Sequence, residues 1–104
     1  MGQYIVKLDD YYLTWSTVVD APTEFGMMLD EFNDEYQRRY GEEGMDILPY
    51  RMARVKAKGN SANDLTNDDL LAANRAGPNE TELTREEIVQ AYCKREPIGD
   101  WLPE

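Results

Sequence analysis

Histidine is absent from this 104-residue chain, and cysteine occurs once, at Cys93. Without imidazole there is no ordinary Ser-His or Cys-His nucleophile pair, no side chain that titrates near neutrality unaided, and no histidine metal ligand. A single cysteine cannot form an internal disulfide, which points to a reducing compartment. Long apolar runs are missing too: nothing approaches the ~20 residues of a membrane helix. The opening MGQYIVKLDD has neither the basic nor the apolar region of a secretory signal. Val6 stands where a myristoylation signal after Gly2 needs Ser or Thr. Asn79-Glu80-Thr81 is a glycosylation acceptor only in a secreted chain and is read as inert. The expected location is cytoplasmic. Positive charge is scarce as well: 11 Lys and Arg face 21 Asp and Glu, a formal net charge of −10 at pH 7. That balance disfavours direct contact with nucleic acid.

What is present is a globular composition, 41% hydrophobic with two Trp, two Phe and seven Tyr. The length suits one domain, read as residues 1–96, with a short apolar tail over 97–104. Tyr4 to Leu8 and Tyr11 to Thr17 alternate as strands do, and an Asp9-Asp10 turn would pair Leu8 with Tyr11, Val6 with Leu13 and Tyr4 with Trp15. All three pairs fall on one apolar face, while the opposite face is mostly polar. A lone hairpin is marginal in water, so the apolar face requires helices behind it. Asp20-Ala21-Pro22 reads as a strand-breaking loop.

From about Met28 to Tyr40 the spacing of Leu29, Phe32, Tyr36 and Tyr40 is helical; a second stripe of Met45, Leu48, Met52 and Val55 runs to a stop at Gly59. Pro49 lies within that stripe, so the helix either begins there or kinks there. Thr66 and Thr84 each precede an acid by three residues and are flanked by Leu, the grammar of two capping boxes with staples. The corresponding helices are expected to end at Gly77-Pro78 and near Arg95. The expected fold is α+β: an N-terminal two-stranded antiparallel β-hairpin packed on three to four amphipathic helices.

Asp30 and Asp34, and Glu31 and Glu35, recur at four-residue spacing on the face away from Leu29, Phe32 and Tyr36, with Glu42 and Glu43 following. Like charges so placed repel, and the ordinary purpose of such a face is solubility. Its functional reading is contact with a basic partner. A sharper version is imitation of a DNA backbone, which would block a nuclease or other DNA-binding enzyme. The basic island Arg51, Arg54, Lys56 and Lys58 is expected to pair with neighbouring acids or to favour the helix end. Trp101, in the Pro-flanked tail, either docks back onto the hairpin or anchors in a partner, and docking back is the favoured reading. Asp64-x-Thr66-x-Asp68 fails as a calcium loop, since Asp69 and Arg75 stand where Gly and a bidentate Glu are needed. No Gly-rich phosphate loop occurs. The inventory offers no catalytic, cofactor-binding or metal-binding residues and speaks against an enzyme.

Two stretches, YIVKLDDYYLTWSTVVDAPTEFGM (Tyr4 to Met27) and NRAGPNETELTREEIVQAYC (Asn74 to Cys93), carry a resemblance. A Trp-Ser pair leading to Asp-Ala-Pro after an opening hairpin, with Asn-Arg-Ala-Gly before the last helix, resembles a family of small acidic accessory proteins from phages of mycobacteria and related actinobacteria. Met28 departs from that pattern, taking the place of a helix-capping hydroxyl. The family has no assigned activity, so the resemblance implies a setting inside an infected bacterium and transfers no functional residues. The expected function is a non-enzymatic phage accessory protein that binds and modulates a host protein or defence factor. Asp30, Glu31, Asp34, Glu35, Glu42, Glu43 and Trp101 are its candidate contact residues. The alternatives are the DNA mimic and a structural or self-assembling homo-oligomer.

Overall fold

The computed structural model describes residues 3–103. It is α+β, with a three-stranded antiparallel sheet in the order β1-β2-β3, one long broken helix and several short helical segments. Strands β1 (Gln3–Leu8) and β2 (Tyr11–Ser16) pair with Leu8 opposite Tyr11, Val6 opposite Leu13 and Tyr4 opposite Trp15, the register set by the alternation. Asp9 turns the corner with φ 54°, a left-handed conformation that Asp tolerates.

Both faces of the sheet are covered. Val6, Leu8, Leu13 and Trp15 pack on one side against residues from the C-terminal third, among them Leu70, Leu83 and Ile88. On the other side Ile5 is buried with Phe32, Tyr36, Leu48 and Val55. That second face was expected to be mostly polar. It accepts a helical layer because Ile5 supplies an apolar centre and its polar neighbours have apolar bodies. The Lys7 stem, for example, lies along the Tyr12 ring with the ammonium 5.7 Å from its centroid.

The hairpin edges are closed by chain that the alternation does not mark. Ala21–Pro22, expected to be loop, forms β3 against Trp15–Ser16. Pro22 is tolerated because an outer strand leaves one side of its backbone without a ladder donor. The segment continues along β2, with the Thr23 amide donating to the Thr14 carbonyl (2.8 Å) and Tyr12 and Met27 exchanging bonds of 2.7 and 3.0 Å. At the opposite edge the Lys7 amide donates to Gly59 (2.8 Å) and the Ser61 amide to Ile5 (2.9 Å). Edges so occupied cannot recruit another chain.

Helix α1 (Leu29–Lys58) covers the Ile5 face. It is interrupted at Gly41, whose φ of 64° and ψ of −156° lie in a region open essentially to glycine. Two arms result, 29–40 and 42–58. The break was expected at Pro49, which instead rides exposed within the second arm. The arms fold back on each other: Arg51 donates from Nη1 to the Tyr36 hydroxyl at 2.8 Å. Leu29, at the start of the first arm, lines the same groove as Met52 and Val55 near the end of the second. Met28 occupies the helix N-cap without a side-chain bond, and the first-turn acids Asp30 and Glu31 face the positive end of the helix dipole.

Helices α2 (Asn67–Ala72) and α3 (Arg85–Ile88) begin in complete capping boxes. The Asp69 amide donates to the Thr66 hydroxyl (3.0 Å) and the Thr66 amide to the Asp69 carboxylate (2.9 Å). Thr84 and Glu87 repeat the exchange at 3.1 and 2.9 Å. The first is shorter than expected, whereas the last ends about where expected, its helical backbone reaching Cys93 with Lys94 at the cap and Arg95 beyond it at φ 55°. α2 stops at Ala72 rather than Gly77, because Asn74 next holds the chain in a different shape. Its amide donates to the Leu71 and Leu83 carbonyls and its oxygen accepts from the Leu83 and Ala76 amides. α3 passes into a π-helical turn, Val89–Cys93.

Candidate functional site

The folded-back α1 brings the predicted acidic residues to its outside. Phe32 and Tyr36 turn the first arm's apolar row inward, which leaves Asp30, Glu31 and Asp34 exposed on the opposite side. Glu42 and Glu43 follow at the Gly41 corner, with Asp46 one turn on, and all three are exposed. None of these six takes part in an ion pair among the described residues.

Glu35 differs. It is drawn toward the sheet side, where it pairs with Arg38 and lies 3.6 Å from Arg39, which itself reaches Glu24 at 3.0 Å. The hydrogen bond from Arg38 holds the Glu35 carboxyl below its ordinary value, against the opposing effect of burial. Glu35 is therefore neutralised locally, and the four-carboxylate face expected on the first arm reduces to three.

The basic island was expected to neutralise nearby acids or to sit on the helix end. No ion pair among the described residues uses it. Lys56 and Lys58 do stand in the last turn of α1, and backbone carbonyls take three of the bases, two of those carbonyls from the chain that returns beside the helix beyond Gly59. Arg54 Nε donates to Ser61 O at 2.7 Å, Lys58 Nζ to Leu65 O at 2.9 Å, and Arg51 Nη2 to Gln3 O at 3.0 Å.

Three large side chains stand among the acids. Tyr40, Ile47 and Tyr50 are 46%, 55% and 71% exposed. Tyr40 was expected on the buried stripe, but the Gly41 break ends the arm before that stripe can turn it under. Ile47 and Tyr50 lie off the row Leu48, Met52 and Val55, so helical periodicity alone assigns them to the outer face.

Trp101 is half-buried in the first core cluster, edge-on to Tyr92 with ring centroids 6.4 Å apart. The Gly99-Asp100 turn brings it there, closed by two backbone bonds between Ile98 and Trp101 (2.8 and 3.0 Å). The ring is thus engaged within the fold, away from the acidic arm.

Residues carrying the family resemblance do structural work. Trp15 is buried, the Ser16 hydroxyl accepts from the Val18 amide (3.1 Å), and the Arg75 amide donates to the Asp20 carbonyl (2.8 Å). The Tyr92 hydroxyl donates to Ala76 at 2.8 Å. The two stretches are joined to each other, and an open depression of about 400 Å³ between them is lined by Asp20, Asn74, Arg75, Glu80 and Glu82.

Among the described residues no group of Cys, Asp and Glu is arranged to hold a metal ion, and no helix is long and apolar enough to cross a membrane. The groove at the open end of the folded-back helix, about 530 Å³, is lined by Lys7, Tyr12, Met52, Lys56 and Lys58 and by no carboxylate. Carboxyls held below their ordinary values are Glu35, by Arg38, and Asp69, by its capping partner Thr66. Both shifts have a structural cause. Burial pushes the Cys93 thiol up to about 12, so it remains protonated. No protein-family profile, curated protein sequence or solved structure matches this chain.

Proposed function

We propose that this chain is a non-enzymatic binding protein that docks a basic patch of a host protein onto the acidic side of α1 and thereby alters that protein's activity. The carrying observation is the composition of that side. Six carboxylates without ionic partners among the described residues, and the exposed side chains Tyr40, Ile47 and Tyr50, lie on the outside of the two arms. Unpaired carboxylates steer a basic partner and set its orientation; exposed tyrosines are the side chains that most often supply binding energy at interface centres. The resemblance adds the setting, an accessory product acting inside an infected actinobacterium. The DNA-mimic alternative has less support, because acids on the second arm stop at Asp46 and Arg51, Arg54, Lys56 and Lys58 occupy the rest of it.

The test is affinity capture from actinobacterial lysate at low and high salt, with the double variant Asp30→Lys, Asp34→Lys as control. The expected result is a bound protein that is retained at low salt, released at high salt and lost with charge reversal. Capture of that same protein by the reversed variant at high salt would refute recognition through the acidic face.

A further inference from the structure

Beyond that reading, and on a row that shares Glu43, Ile47 and Tyr50 with it, we infer that the chain pairs weakly with a second copy of itself, antiparallel, through Glu43, Ile47, Tyr50 and Arg54 of the second α1 arm. The spacing of four, three and four residues puts these side chains on one stripe. Glu43, Ile47 and Tyr50 on it are exposed and Arg54 is half-buried, whereas Gly44, Leu48 and Val55, about a third of a turn round the helix, are buried. Its order is acid, aliphatic, aromatic, base. Laid antiparallel on an identical stripe, Glu43 meets Arg54 twice and Ile47 meets Tyr50 twice, the self-complementary pattern of a two-fold interface. A parallel arrangement would set acid on acid and base on base.

Both charged ends are available. Glu43 and Arg54 are in no ion pair among the described residues, and Arg54 commits only Nε, to Ser61. Its two terminal nitrogens keep their donors. Ala53 and Ala57, exposed beside the row, allow close approach of two helices. The surrounding charge repeats the polarity, with Glu42 and Asp46 toward one end of the arm and Lys56 and Lys58 toward the other. The row is only about 17 Å long at 1.5 Å per residue, so the contact belongs to the weak class below about 1,200 Å².

Sedimentation velocity on the wild-type chain from about 5 to 500 µM tests this, since such an interface implies dissociation in the micromolar range or weaker. The weight-average sedimentation coefficient should rise toward that of a dimer. Association should strengthen between low and physiological salt, as the mutual repulsion of two chains of charge −10 is screened. Binding of a basic host partner responds to salt in the opposite sense, so the two readings fail separately. Ile47→Glu and Glu43→Arg, each at an exposed site and checked for folding by circular dichroism, should weaken self-association at least about tenfold, roughly 1.4 kcal/mol. An equimolar mixture of Glu43→Arg and Arg54→Glu should recover it, because each acid again meets a base. Should loss of the Ser61 bond unfold Arg54→Glu, the two other variants decide. A wild-type chain that stays monomeric at the highest concentration, variants that associate like wild type, or folded swap variants that stay apart would each overturn the inference.

Discussion

Gly41→Ala isolates the corner on which the acidic surface depends. Gly41 has φ 64° and ψ −156°, and a Cβ built there meets nothing within 4 Å. The substitution therefore adds no collision with neighbouring side chains; what it adds is a conformation that an L-residue resists, at about 1–3 kcal/mol. With a urea m-value of about 1–3 kcal/mol/M for a small domain, the unfolding midpoint should fall by roughly 1 M, followed by fluorescence of the buried Trp15. The mirror-image residue separates this cause from any other. For D-alanine the same dihedrals correspond to an ordinary extended conformation, so a chemically assembled chain carrying it should match the wild type or exceed it by about 0.4–1 kcal/mol, through a stiffer unfolded state. Equal stabilities for the L- and D-alanine chains would refute the reasoning, since the two residues have the same atoms and opposite backbone preferences. Because Tyr40, Glu42 and Glu43 flank the corner, the L-variant should also bind a partner more weakly while the D-variant does not.

Three further outcomes follow from the buried polar groups and caps. Asn74→Ala removes four hydrogen bonds inside the core and leaves the Leu83 amide and carbonyl unpartnered. A loss of about 2–4 kcal/mol is expected in a thermal melt, and under about 1 kcal/mol would mean that water replaces the side chain. Cys93, its thiol pushed up to about 12 mainly by burial, should resist an aromatic disulfide reagent at pH 8 until the chain unfolds. The sign follows from a raised value: the stabilisation is intact below the ordinary value near 9 and declines as pH climbs toward 12. Rapid modification of folded protein would contradict its burial. Asp69, lowered from 3.8 chiefly by the Thr66 amide and then by the Thr66 hydroxyl, contributes stability above that pH and loses it as pH falls. In an NMR titration Thr66→Val should return its midpoint only part of the way, because the amide remains; a full return would reverse the order of the two causes.

Legibility in the sequence tracked the range of the interaction. The hairpin register could be read because alternation on both arms and a two-residue turn are local, and Thr66 and Thr84 because a capping box spans four residues. Ala21–Pro22 could not: its pairing with Trp15–Ser16 is made by backbone groups that every sequence has. The Gly41 corner was missed for a related reason. Pro49 is a visible helix breaker, yet a proline on an exposed helix side loses one hydrogen bond, whereas a glycine that takes up a left-handed backbone redirects the entire chain. The Asn74 network was equally silent, as was buried Asn60, whose side-chain amide donates to Leu65 O (3.1 Å) and Asn67 Oδ1 (2.9 Å), since buried asparagine looks like any loop asparagine until its partners are known.

The candidate surface divides along the same line. Exposure of Asp30, Glu31 and Asp34 followed from helical period and the inward row of Phe32 and Tyr36. Capture of Glu35 is local as well, since Arg38 and Arg39 stand three and four residues further along the same helix; what a helical period does not show is that Glu24, from another segment, also takes up Arg39. Period two and period 3.6 report which side of an element faces the core; they do not report which charges remain unpaired once the segments meet. An acidic chain therefore reveals its sign at once, but the location of its free charge depends on contacts between elements. Here such a contact ties Glu24 to Arg39, and the outer side of a folded-back helix remains as the region that holds both carboxylates without ionic partners among the described residues and exposed tyrosines.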